Sequence, residues 1–318
     1  MRKLALSDEI LLKVDKAARY IGGEVNSVMK DKNAVDIRFA MCFPDVYEIG
    51  MSNLGMMILY NMFNQREDVW CERLFSPWPD LDKVMREEKI PLFALESQEP
   101  IRDFDFLGIT IGYEMCYTNI LQVLDLSGIP LKSADRGEDF PIVIGGGACA
   151  YNPEPLAPFF DLFYIGEGET VYDALFDAYK ANKKAGGSRR DFLLAAAKIP
   201  GIYVPSLYEV TYKEDGTIAS FAPTEAGVPE KVQKQLIIDM EKEYRAVEAP
   251  VVPHIKATQD RVTLEIQRGC IRGCRFCQAG MIYRPTRERD VETLKESARI
   301  MLKNTGHEEI SLSSLSSS

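Results

Sequence analysis

Three cysteines, Cys270, Cys274 and Cys277, stand at C-x3-C-x2-C spacing. Soft thiolates in this number hold an iron-sulfur cluster and leave one iron without a protein ligand, open to chemistry. A zinc site asks for a fourth Cys or His nearby, and neither histidine of the chain, His254 or His307, stands at finger spacing. Gly269 and Gly273 relieve crowding where backbone turns around a cluster. Upstream, 261–266 alternates polar residues with Val262, Leu264 and Ile266, which is a strand period. The cysteines therefore leave a strand's carboxyl end, the face where active sites collect in parallel α/β architectures.

With Phe276 before the last cysteine, Cys270, Cys274, Phe276 and Cys277 spell C-x3-C-x-aromatic-C. In this the chain resembles the radical SAM superfamily. The resemblance implies a 4Fe-4S cluster on the three cysteines and S-adenosylmethionine (SAM) on the fourth iron through its amino and carboxylate groups. An electron from the cluster then breaks the sulfonium bond and releases a 5'-deoxyadenosyl radical. Phe276 is implied to lie beside the adenine, and an electron donor such as flavodoxin or ferredoxin is implied as a partner.

Composition agrees with a reduced, cytoplasmic protein: seven cysteines in 318 residues are too few and too irregular for a disulfide scaffold. No apolar run reaches membrane-spanning length, and 1–30 reads as a charged amphipathic helix, not a targeting peptide. A net charge of −10 argues against a nonspecific nucleic-acid surface. Arg284, Arg287 and Arg289 form a local basic cluster that reads either as a solvated helix start or as an anion or substrate contact.

Strand and helix patterns alternate from 35 to about 179, which predicts a doubly wound α/β domain with a largely parallel sheet. Strands are expected at 35–41, 69–74, 106–111, 142–144 and 162–165, and helices at 53–63 and 118–126. Met51, Met56, Met57 and Met62 are simplest as core filler. Three loops fall where such a fold binds a ligand: Asp45 to Gly50, Thr110 to Glu114, and Gly145, Gly146, Gly147.

As an ordered set these loops resemble the cobalamin-binding domain that precedes many radical SAM domains, with its D-x-H-x-x-G signature, a Ser-containing strand end and a Gly-Gly pair. Asp45, Tyr47, Gly50, Thr110, Gly145, Gly146 and Gly147 are the corresponding candidates, and Gly166-Glu167-Gly168-Glu169 matches a further common stretch. Tyr47 occupies the place of the histidine that would ligate cobalt. A phenol, with an unperturbed pKa of about 10, offers no neutral nitrogen. Two readings stay open: cobalamin bound without a protein ligand, or a pocket that kept the fold and lost the cofactor. Methylthiotransferases also pair an α/β domain with a radical SAM domain, and there Cys42, Cys71, Cys116 and Cys149 would bear on a second cluster. Free cysteine is otherwise a small buried hydrophobe.

The expected organisation is a helical segment over 1–34, the cobalamin-binding-like domain over 35–200, a connector over 201–260 and the start of a radical SAM (β/α) partial barrel over 261–318. The connector holds a hairpin turned at Asp215-Gly216 and a partly helical charged stretch at 231–244. Two strands are expected in the last part, before and after a helix near 291–304. The barrel reads as cut off, so a noncatalytic fragment, a cobalamin-binding module and a subunit completed by a second chain are alternatives to the enzyme. Relatives carry a Gly-Gly-Glu-type segment for the SAM amino group after the second strand, where this chain has Ser313 and Ser314. The whole order resembles uncharacterised B12-binding-domain radical SAM proteins. Methyl transfer or a carbon-centred rearrangement on an unknown substrate is the implied reaction class.

Overall fold

The run Ile37–Phe43 is buried at every position and forms strand β1, as befits a parallel strand covered on both faces. The computed structural model describes residues 3–316. Met1, Arg2, Ser317 and Ser318, and with them the extreme ends of the N-terminal segment and of the serine run, lie outside the described residues. After a single helical turn, α1 (Asp8–Leu11), come β1, α2 (Tyr47–Gly50), α3 (Leu54–Gln65), β2 (Val69–Phe75), α4 (Pro79–Glu88), β3 (Phe106–Thr110) and α5 (Tyr117–Leu126). β4 (Ile142–Gly146), β5 (Leu162–Tyr164), α6 (Tyr172–Ala185), α7 (Arg189–Ala196) and β6 (Ile202–Tyr203) follow. Local chemistry fixes several ends. Asn53 accepts the Met56 N–H at 2.8 Å to start α3, Pro79 opens α4, and Ser188 with Asp191 forms a reciprocal capping box on α7.

These six strands form one sheet in the order β2-β1-β3-β4-β5-β6, parallel except for the last pair. The strand order reverses between β1 and β3, so a crevice is expected beyond their carboxyl ends. Alternate residues of β1 feed two cores. Phe39 and Met41 pack with Met56, Phe63, Phe176 and Phe192 on one face. Ala40 and Cys42 pack with Leu81, Met85, Ile120 and Val123 on the other. The doubly wound α/β expectation holds, and all five expected strands are present. The antiparallel edge strand β6 was not foreseen, being only two residues long. Met51, Met56 and Met57 are buried filler.

The expected helix over 1–30 does not form: apart from α1, only the 3-10 turn Ala17–Arg19 is helical among its described residues. Lys16 and the pair Gly22 and Gly23 take positive φ, and the polar side chains are drawn to the sheet instead. Glu24 is fully buried and pairs with Arg73 at 2.7 Å, and Arg73 pairs with Glu96 at 2.6 Å. The Tyr47 and Tyr60 hydroxyls donate to Glu24 and Glu96 at 3.0 and 2.9 Å. A buried guanidinium stripped of such partners costs far more than a few turns of exposed helix contribute.

The hairpin is present as β7 (Tyr208–Tyr212) and β8 (Ile218–Pro223), with Gly216 at φ 80°. No helix forms within 231–244 beyond one isolated turn, in which the Glu243 N–H donates to the Asp239 carbonyl at 2.9 Å. Gln235 bridges to Gly166, the Ile237 N–H donates to Glu167 at 2.9 Å, and the Ile237 carbonyl accepts from Arg287 at 2.5 Å. Backbone groups claimed by distant partners cannot also close helical turns.

Farther on lie β9 (Val262–Glu265), β10 (Gln267–Arg268), α8 (Ala279–Ile282), β11 (Arg287–Glu288), α9 (Val291–Thr305) and β12 (Ile310–Ser313). β12 pairs in parallel with β9, and Met301 of α9 packs on Val262 and Leu264. This is one strand-helix-strand unit, and no closed barrel forms among the described residues. No helix among them is long and apolar enough to cross a membrane.

Candidate functional site

The cysteine loop leaves β9 through β10 and is pinched at its base by the antiparallel β10-β11 ladder, with Gln267 opposite Glu288 and Arg268 opposite Arg287. Gly269, at φ 83°, closes the pinch. A Cβ there would lie 2.4 Å from the Pro285 carbonyl oxygen, so no other residue fits without displacing backbone. Within the loop, the Arg272 N–H donates to Cys270 Sγ and the Gly280 N–H to Cys277 Sγ, each at 3.4 Å. Cys274 is exposed, Cys270 and Cys277 are half-buried, and Phe276 is 91% exposed. Among the described residues, no three Cys, His, Asp or Glu side chains are gathered closely enough to hold a metal ion. The donor chemistry nevertheless suits an iron-sulfur cluster: three unpaired thiols share one loop, and two of them already receive backbone N–H groups.

The loop base is charged and largely dry. Arg268 meets Glu169 at 2.6 Å, Glu265 at 2.8 Å and Glu167 at 3.2 Å. Arg287 grips Glu167 with two parallel bonds of 2.7 Å. Burial raises the proton affinity of Glu167, but the Arg287 hydrogen bonds and the Arg268 charge outweigh it and hold the carboxyl below its ordinary range. Arg289 stacks on Tyr244 with 4.2 Å to the ring centroid. Arg287 and Arg289 are therefore buried and partnered, which corrects the solvated-helix-start reading for both; Arg284 alone of that cluster is exposed.

Beside this base lies a cavity of about 510 Å³, within the ordinary size range of ligand sites. One wall is the carboxyl edge of the six-stranded sheet, with Thr110, Gly146, Gly147, Tyr151 and Tyr164. The opposite wall is Glu265, Gln267, Arg268, Gly269 and Tyr283, and Ser313 and Ser314 stand at the end of β12. Burial pushes the Tyr151 phenol up to about 12, so it stays protonated as a hydrogen-bond donor at neutral pH.

The structure divides the sequence candidates. Thr110, Gly146, Gly147, Ser313 and Ser314 line the cavity. Asp45, Tyr47, Gly50 and Gly145 do not. Tyr47 is buried between Glu24 and the His254 N–H, its hydroxyl donating to the first and accepting from the second at 3.2 Å. Asp45 accepts from the Tyr113 hydroxyl at 2.7 Å. At Gly50 a Cβ would meet the Phe75 ring, and at Gly145 the Phe163 ring, so both glycines serve packing. Neither histidine lines the cavity. Cys42, Cys71, Cys116 and Cys149 are buried, and burial pushes each thiol up. Arg268, Tyr151 and Tyr283 were missed as site residues. The available signal was a pair of glutamates between glycines, Glu167 and Glu169, facing arginines that flank the cysteines.

Residues 55–205 match the family described as radical SAM proteins, N-terminal. This region is similar to the N-terminal part of radical SAM proteins. The match ends well before Cys270, so it is independent of the cysteine spacing and agrees with it. Among curated proteins, the chain is 26% identical over 256 residues to the uncharacterized protein MJ0966 of Methanocaldococcus jannaschii, covering 80% of this chain and 44% of that one. The chain thus spans less than half the length of this relative. Among solved structures it is similar to the radical S-adenosylmethionine methyltransferase TsrM of Kitasatospora setae. With cobalamin and a [4Fe-4S] cluster bound, that protein gives a TM-score of 0.48 at 13% identity, covering 88% of this chain and 48% of TsrM. With tryptophan substrate and a SAM analog it gives 0.45 at 14%, covering 87% and 47%.

Proposed function

We propose that this radical SAM-related chain works in reductive SAM cleavage, with Cys270, Cys274 and Cys277 holding a 4Fe-4S cluster. The observation that carries the reading is the placement of three unpaired thiols on a loop whose base forms one wall of the 510 Å³ cavity. When bound, the cluster would supply an electron to the SAM sulfonium at its open iron. The chain's own part is to present the three sulfurs on one loop, where backbone N–H groups already reach Cys270 Sγ and Cys277 Sγ. Ser313 and Ser314 offer hydroxyl and carbonyl groups at the cavity rim for the polar end of SAM, and Phe276 offers an exposed ring for the adenine. An external electron donor, flavodoxin- or ferredoxin-like, has open access to Cys274.

Anaerobic reconstitution with iron and sulfide tests this. The parent chain should bind about four irons, and Ala at any one of the three cysteines should abolish the visible absorbance of the cluster. Undiminished iron uptake by the triple alanine variant would sink the reading and turn attention to Cys42, Cys71 and Cys116.

A second reading concerns the cavity itself. Its position at the strand-order reversal, where α/β sheets bind ligands, favours a cofactor there. Cobalamin in this place would lack a protein ligand on cobalt, since Tyr47 and both histidines lie off the cavity wall. Methyl transfer is the reaction class that such a pairing supports. Hydroxocobalamin should then co-elute with the chain, with an unaltered spectrum in Tyr47→Phe; release on gel filtration would remove this second reading alone.

A further inference from the structure

The cysteine loop is held in place by a part of the chain that lies outside it. Arg268, two residues before Cys270, reaches Glu169 and Glu167, both on the connection between β5 and α6 at the carboxyl edge of the main sheet. Arg287, on the strand that closes the loop, takes Glu167 in a two-pronged pair and also donates to the Tyr283 and Pro285 carbonyls at 3.1 and 3.0 Å. One guanidinium thus binds the loop's return path and the sheet together. Lys234 adds to this from the connector, donating to the Ile282 and Arg284 carbonyls at 3.0 and 2.8 Å.

Buried ion pairs contribute little net stability compared with apolar packing, and their best-attested use is to specify register. A two-pronged arginine-carboxylate pair is also directional, so it fixes orientation as well as distance. Four largely enclosed charges, Arg268 and Arg287 on the two strands that pinch one loop and Glu167 and Glu169 on the sheet-edge connection facing them, therefore point to placement of that loop.

We propose that Glu167 and Glu169 are positioning residues: through Arg268 and Arg287 they set where the cysteine loop stands over the cavity, so that the six-stranded sheet governs the geometry of the loop's site. The role assigned to the loop rests on the function proposed above, whereas the docking itself needs no metal.

Hydrogen exchange on the metal-free chain separates the two. In E167Q/E169Q, which keeps size and removes both charges, peptides within 269–286 should exchange at least about tenfold faster than in the parent, while β3 and β4 stay unchanged. Exchange within about twofold of the parent across 269–286 overturns the proposal, whatever the iron content. In reconstituted protein, the change that SAM causes in the electron paramagnetic resonance spectrum of the reduced cluster should be lost or need about tenfold more SAM, and E167D/E169D should recover part of it. A SAM response equal to the parent's, in variant molecules that retain the cluster, likewise overturns it. Faster exchange in a chain whose parent takes up no iron upholds the docking and removes the cluster reading instead. Should the double variant fail to fold, Arg287→Lys keeps the charge but loses the fork, and it must show the same local loosening for the proposal to stand.

Discussion

Two regions of this molecule carry buried arginine-glutamate clusters, and they use them differently. Under the six-stranded sheet, Arg73, Glu24 and Glu96 are wholly enclosed and tie the N-terminal segment to β2, away from the cavity. Beside the cysteine loop, Arg268 and Arg287 meet Glu167 and Glu169 at the cavity wall, and the thiols beyond them are partly or fully exposed. The same chemistry secures a core in one place and aims a loop in the other. Perturbing the first should therefore cost stability without touching metal uptake, and perturbing the loop should do the reverse.

The largest break in that comparison is Arg73→Met, which strands two buried carboxylates and should lower the unfolding free energy by about 3–5 kcal/mol, measured by urea titration. Gly50→Ala should come next, because its Cβ would press into the Phe75 ring, at about 1–3 kcal/mol for an overpacked contact. Iron uptake by the folded fraction should be unchanged in both.

A pH titration sharpens the same contrast. Burial raises the Glu48 carboxyl, but hydrogen bonds from Arg19 and Lys16 outweigh it and bring it from 4.5 to about 2. A carboxyl depressed on folding stabilises above its unfolded pKa and loses that contribution as pH falls through the folded value. The melting temperature should thus hold steady above about pH 5 and decline toward about pH 2, and Glu48→Gln should flatten part of the decline. Smallest in stability are Cys274→Ala and Phe276→Ala, exposed positions expected to shift unfolding by no more than about 0.5 kcal/mol. Under the proposed function, the first nevertheless removes the cluster and the second weakens SAM binding, both readable by absorbance and titration.

The sheet was legible because its strands are covered on both faces and so read as mainly apolar runs, as in Ile37–Phe43 and Val69–Phe75. Even there, Arg38, Glu72 and Arg73 hid inside the runs, and the pairing of Arg38 with Glu72 and of Arg73 with Glu24 and Glu96 cannot be read from periodicity. The segments 1–30 and 231–244 misled because charged residues at helical spacing describe a solvated face equally well as a set of long-range ties. Glu24 to Arg73 and Ile237 to Glu167 are such ties.

The site split along the same line. Cysteine spacing needs only local chain, so the candidate cluster loop could be read directly. Membership of the cavity depends on which way each side chain faces after the strands pair. That is why Thr110, Gly146 and Gly147 line it while Gly145, one residue away on the other face of β4, packs against Phe163.

By itself, the sequence determined the elements of the α/β sheet and the grouping of three thiols on one turn, because both are set by neighbours within a few residues. Only the tertiary structure decided that Tyr47 faces Glu24, that Arg287 is a buried clamp and not a solvated charge, and that the loop's base and the sheet edge share one cavity. Those outcomes turn on which distant groups satisfy a buried charge or hydroxyl, and strand pairing and packing choose them.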